Sequence, residues 1–185
     1  VGKADAYGHG IHPTAARLMQ SGVDVFAVAN VQEASEIREM GSGWPILILG
    51  PLLEEEDEAL FDFDLIPTLS SEEELHRFKE LSQKHQKQIS VHIKIDSGMG
   101  RHGAWWEKAE ELIELVVASE EINICGALTH FAQPLDLSFT QEQRNRFLSV
   151  LERTQIHRQK DFLVHADNSS SLRSFDRKNI FNAVR

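Results

Sequence analysis

The chain has 185 residues, with 41% apolar and 26% charged content, enough to bury a substantial core and ordinary for a soluble globular protein. Its formal net charge of -10 argues against a nucleic-acid or anionic-membrane surface, and no apolar run reaches the length of a bilayer span. No signal-peptide pattern is present, and the lone cysteine, Cys125, has no internal disulfide partner; it reads as a small buried hydrophobe in a reducing compartment.

In chain order, short β-rich runs alternate with helical patterns. Val1-Gly2-Lys3 reads as the end of a strand. Further strands are expected at 24–29, 45–50, 64–69, 88–96, 122–130, 161–167 and 180–185, eight in all. The acidic run Glu54-Glu55-Glu56-Asp57-Glu58 reads as a solvated helix start or loop. Ser71-Glu72-Glu73-Glu74 and Thr140-Gln141-Glu142-Gln143 both fit the capping box at a helix start. Ala109, Leu112, Ile113, Val116 and Val117 form the stripe of a helix with one buried face. This alternation implies parallel strands joined by helical crossovers. Eight units predict an α/β fold of the (β/α)8 TIM-barrel type, cut short in its first and last strands, and an open doubly wound sheet is the alternative. No Gly-x-Gly-x-x-Gly turn follows a strand, so the nucleotide-binding version of that alternative lacks its signal. Residues 1–185 show no repeat or linker and read as one domain.

The polar residues Lys3, Asp96, His130, His165 and Arg185 each fall near the C-terminal end of an expected strand, where barrel active sites lie. Along 90–96, alternation puts Val91, Ile93 and Ile95 on one face and His92, Lys94 and Asp96 on the other. Lys3, within Lys3-Ala4-Asp5-Ala6-Tyr7-Gly8-His9-Gly10, is the leading candidate: a desolvated amine forms Schiff bases, against the bland reading of a solvated terminal lysine. Lys94-Ile95-Asp96-Ser97-Gly98-Met99-Gly100-Arg101 describes a Gly-rich turn that returns a guanidinium suited to carboxylate or phenolate, or else a plain surface turn. His165-Ala166-Asp167-Asn168-Ser169-Ser170-Ser171 reads equally well as a phosphate-binding helix start and as a simple N-cap. His130 reads as a site residue or a structural histidine. No zinc spacing and no Gly-x-Ser-x-Gly elbow occur.

In this order, KADAYGHG at 3–10, KIDSGMGR at 94–101, THFA at 129–132, HADNSSS at 165–171 and NAVR at 182–185 resemble the N-terminal barrel of alanine racemase, a fold-type III pyridoxal-phosphate enzyme. The resemblance implies a partial pyridoxal-phosphate-binding barrel domain over 1–185, without the family's C-terminal β domain. It implies Lys3 as the Schiff-base lysine and acid/base on one face of the substrate. Tyr7 and Ser169 would help hold the cofactor's phosphate, and Asn168 would be a further cofactor-binding residue. Arg101 would engage the cofactor's phenolic oxygen and the substrate carboxylate, and Lys94 matches the family lysine that can be carbamylated. Arg185 would bond the pyridine nitrogen with His165 behind it, and His130 would support the second catalytic group. That group is a tyrosine from the other subunit's C-terminal domain, so this segment alone is expected not to racemise efficiently. The implied setting is a cytoplasmic homodimer acting on alanine, with D-alanine going to peptidoglycan, without metal, nucleic acid or membrane. Gly2, His102 and Asp167 depart from the family pattern; His102 and Asp167, near the mouth, leave substrate preference open, serine or broad specificity included. A non-catalytic single-domain pyridoxal-phosphate-binding barrel and a degenerate remnant are the rival expectations.

Overall fold

The structure, a computed structural model, describes residues 1–166 and 181–183. These fall into two compact units, Val1–Thr68 and Leu69–Arg185.

In the first unit the element order is α1 (Lys3–Gly8), α2 (Ile11–Gln20), β1 (Phe26–Val28), α3 (Val31–Met40), β2 (Ile46–Ile48), α4 (Ala59–Asp62) and β3 (Leu65–Ile66). The acidic run opens on a 3-10 turn at Glu54–Glu56. Strands β1, β2 and β3 pair in parallel, with Phe26 opposite Ile46 and Ile46 opposite Leu65. β1 and β2 are buried on both faces, as expected of parallel strands between helical crossovers. Asn30 caps α3 by accepting the Glu33 N–H at 3.0 Å. Further along that helix, Arg38 donates to the carbonyls of Phe63, Trp44 and Asp64 and so ties two loops to it. The expected strand over 64–69 is interrupted by Pro67, which has no N–H for a ladder. The pieces on either side are β3 and β4 (Thr68–Leu69).

The second unit continues with α5 (Glu72–His85), β5 (Ile89–Asp96), β6 (Ala104–Trp105), α6 (Ala109–Val117), β7 (Ile122–Leu128), α7 (Leu137–Thr154) and β8 (Leu163–His165). The sheet order is β4-β5-β7-β8, and β6 pairs with β5. A bulge at Cys125 shifts the register, so Val91 faces Ile124 while His92 faces Gly126. Two expectations change here. Thr140 does not start a helix: Asp136 caps α7 by accepting the Phe139 N–H at 3.0 Å, which leaves Thr140 and Gln143 inside the helix and buried. On α6 the stripe holds at Ala109, Leu112, Ile113 and Val116, whereas Val117 has turned out to solvent. Strand β6 was not foreseen. It is two residues long, below the length at which alternation can be read.

The core of this unit includes Phe78, Ile93, Ile95, Ile113, Phe131 and Phe147, each 2% exposed or less. Phe147 also stacks on Phe181. Phe147→Ala is expected to destabilise the protein by about 3–5 kcal/mol in urea melts, through lost transfer energy plus a cavity.

Candidate functional site

In the first unit the expected strand end at Lys3 is replaced by a helical turn of the opposite hand. Ala4, Asp5, Ala6 and Tyr7 all have φ between 51° and 59° and positive ψ. Gly2 continues toward the sheet, donating its N–H to Ala27 O at 2.8 Å. For L residues each left-handed position costs about 1–2 kcal/mol, so the turn persists only because its surroundings fix it. Ala6 N–H donates to Gly2 O, Gly10 N–H to Asp5 O, and Ile11 N–H to Asp5 Oδ1 at 2.7 Å. Glu33 of α3 accepts the Ala4 N–H on Oε1 at 2.6 Å and the Ala29 N–H on Oε2 at 2.8 Å. The turn sets Lys3 and Tyr7 side by side, with the amine 5.7 Å from the ring centroid. Lys3 is exposed rather than desolvated, and Tyr7 is 61% exposed. This chain's own packing therefore leaves the amine accessible and does not bury it, contrary to the expectation.

In the second unit the polar groups gather at the C-terminal ends of β5, β7 and β8, as expected. His92, Lys94 and Asp96 are all buried, as are Val91, Ile93 and Ile95 on the other face. Asp96 anchors the Gly-rich turn: Oδ1 accepts the N–H groups of Gly98 and Met99, and Oδ2 that of Gly100 at 2.8 Å. Arg101 leaves this turn exposed to solvent. Gly103 (φ +131°) brings the returning chain against β5, where a Cβ would stand 2.7 Å from the Asp96 nitrogen. The hydroxyls of Ser97 and Thr129 share a hydrogen bond of 2.8 Å, joining the ends of β5 and β7. His130 is half-buried, and its loop is held by Gln143, which accepts the Ala132 N–H at 2.9 Å and donates to His130 O.

His165 lies buried across from Leu128, with Nε2 3.2 Å from His92 Nδ1. The rings meet because Gly126 lies between them without a side chain; a Cβ there would come within 2.4 Å of the His92 ring. Burial pushes His92 down to about 4. His102 is also held at about 4, by burial first and then by the positive charges of Lys94 and Arg101, with Asp96 opposing them. Ser70 donates to Glu74 and its oxygen lies 3.1 Å from His102 Nε2, so the neutral ring donates there. Cys125 is only partly buried, and burial raises its thiol to about 11. Asn168, Ser169 and Arg185 lie outside the described residues.

Glu33, His92 and Gln143 were not singled out as site residues from the sequence. For Glu33 a signal existed: Asn30-Val31-Gln32-Glu33 has the form of a capping box. Its carboxylate, like that of Glu74 after Ser71, takes the N–H one residue ahead of the cap. Local pattern shows such a carboxylate but not the distant amide it also reaches.

The model of the family described as alanine racemase, N-terminal domain, matches residues 1–185. The chain belongs to that family. It is 39% identical over 175 residues to an alanine racemase of Halothermothrix orenii, covering 94% of this chain and 46% of that protein. An alanine racemase of Carboxydothermus hydrogenoformans is also 39% identical, over 92% of this chain and 46% of its own length. Among solved structures, alanine racemase of Clostridium difficile in complex with cycloserine superposes with a TM-score of 0.86 at 32% identity, over 92% of this chain and 48% of that one. Alanine racemase from Bacillus anthracis with bound L-Ala-P gives 0.85 at 29% identity, over 100% and 48%. The chain thus spans about half the length of the alanine racemases it matches. The α/β class with parallel sheets agrees with these neighbours and is consistent with a truncated (β/α)8 barrel. The alanine racemase family is pyridoxal-phosphate-dependent, and the accessible Lys3 amine is the group with which an aldehyde-bearing cofactor would condense.

Two outcomes check this geometry. Asp96→Asn leaves one acceptor oxygen for three N–H donors, so amide exchange at Gly98, Met99 and Gly100 is expected to speed up by about tenfold or more. The second concerns pH. Unfolded His92 takes up a proton near pH 6.5, whereas the folded ring resists until about pH 4. Between these values the unfolded chain binds more protons, so stability present above pH 6.5 is lost as pH falls, by roughly 3 kcal/mol from this group. Urea melts at pH 7 and pH 4.5 should show the loss, and His92→Gln should reduce it.

Proposed function

We propose that this chain is the cofactor-holding portion of an alanine racemase that interconverts L- and D-alanine as a cytoplasmic homodimer, with D-alanine supplied to peptidoglycan. The observation that supports it most is the family match over residues 1–185, with an accessible Lys3 amine set beside Tyr7. Residues 1–185 serve as a partial pyridoxal-phosphate-binding barrel domain.

When bound, pyridoxal phosphate supplies an electron sink that acidifies the Cα–H bond of an amino acid. Lys3 would hold the cofactor through its amine and move a proton at Cα on one face. Tyr7 and Ser169 would hold the phosphate, and Asn168 would be a further contact to the cofactor. Arg101, on the turn that Asp96 braces, would bind the substrate carboxylate and the cofactor's phenolic oxygen. Lys94 is buried among polar neighbours; carbamylation would replace its cation with an anion suited to partner Arg101. His165, held by His92, would support Arg185 at the pyridine nitrogen, and a guanidinium there would keep that nitrogen unprotonated. His130 would support the second proton-transferring group, a tyrosine from the other subunit. Exchange on both faces of Cα requires both groups, so residues 1–185 alone would racemise poorly.

In the full-length protein loaded with pyridoxal phosphate, borohydride should fix pyridoxyl on Lys3; label spread over surface lysines would refute the assignment. Lys3→Ala should lower racemisation by about 1000-fold. Alanine should show the higher kcat/KM against serine, and equal values would mark a broad-specificity enzyme.

A further inference from the structure

The peptide plane between Lys3 and Ala4 decides where the Lys3 side chain starts, because its C=O and N–H turn as one rigid unit. The Ala4 N–H end of that plane is fixed by Glu33 Oε1 at 2.6 Å. The other oxygen of the same carboxylate accepts the Ala29 N–H, the first amide after β1, at 2.8 Å. The base of the Glu33 side chain is fixed as well, since its own N–H is bonded to Asn30 Oδ1. One carboxylate therefore ties the amine-bearing segment to the end of β1 and to the start of α3. Both its oxygens are used as acceptors. Left-handed geometry begins at Ala4 itself, with φ 52° and ψ 56°. Without an acceptor at this amide, an L residue relaxes toward negative φ and carries the Lys3 Cα–Cβ bond with it.

We propose that Glu33 is a positioning residue for Lys3: its carboxylate holds the left-handed turn and thereby directs the amine that carries the cofactor. The proposal rests on the racemase reading for the role of the amine, but not for the holding of the turn.

The test uses the full-length protein as wild type, Glu33→Gln, Ala4→Gly and the double variant. Glutamine supplies one acceptor and places an N–H2 donor against the second backbone N–H. Hydrogen exchange of the cofactor-free protein should show the Ala4 or Ala29 amide of Glu33→Gln opening about tenfold or more faster, the loss of a charge-assisted bond. After loading, Glu33→Gln should show a shifted pH titration of the bound-cofactor absorbance, a smaller borohydride-fixed fraction on Lys3 and a kcat lowered about tenfold or more, with KM for alanine nearly unchanged. Glycine takes positive φ without steric cost, so Ala4→Gly should restore much of the labelling and kcat in the double variant. That rescue separates positioning from a general contribution to folding. A folded Glu33→Gln protein with wild-type exchange, absorbance titration and labelling overturns the proposal. So does a Glu33→Gln protein that unfolds and that Ala4→Gly does not rescue. Failure of the wild type to label at Lys3 sinks the racemase reading instead, and amide exchange at Ala4 then decides the holding of the turn by itself.

Discussion

A backbone N–H that leaves regular structure needs an acceptor, and here carboxylates at the sheet ends supply it. In the first unit Glu33 accepts two such groups around the turn that carries Lys3. In the second, Asp96 accepts three around the turn that carries Arg101. Each carboxylate does two things at once. It satisfies donors that would otherwise be stranded, and it fixes the base of a nearby cationic side chain whose head stays accessible. The exposure of Lys3 and Arg101 is therefore compatible with order: the backbone beneath each is held while the functional end is left available.

The polar interior of β5 follows a different logic. His92, Lys94 and Asp96 are buried together with the apolar residues of the other face, which demands compensation for every polar atom. His92 meets that demand by remaining neutral and facing His165, and Asp96 by accepting three backbone N–H groups. Ser97 and Thr129 satisfy each other. The arrangement favours one register of β5 against β7, since a slip would strand several of these groups together.

Much of this was legible in the chain. The alternation of apolar runs and helical stripes predicted β1, β2, β5, β7 and β8 and the helix over Ala109–Val117, because burial on parallel strands leaves continuous apolar runs. The clustering of Asp96, His130 and His165 at strand ends followed from the bounds of the expected strands, and alternation along 90–96 put Asp96 on the polar face. The hand of the Lys3 turn did not, since alanine disfavours positive φ and part of what holds the turn is a carboxylate 29 residues away in Glu33. The start of α7 was misplaced because Asp136 and Thr140 are both competent caps, and tertiary packing of Thr140 and Gln143 decided between them. Pro67 marked the break in 64–69 openly, while β6 was too short to leave a pattern.

The bare α-carbon at Gly126 has an implication for inheritance. Because the His92 imidazole fills the volume a methyl group would need, the two positions cannot drift independently. Across related chains, a larger residue at 126 should occur only where 92 has become small, and the hydrogen bond to His165 should then be missing as well. The extra residue at Cys125, which brings 92 opposite 126, belongs to the same linked set, so a one-residue deletion there would break all three relationships at once.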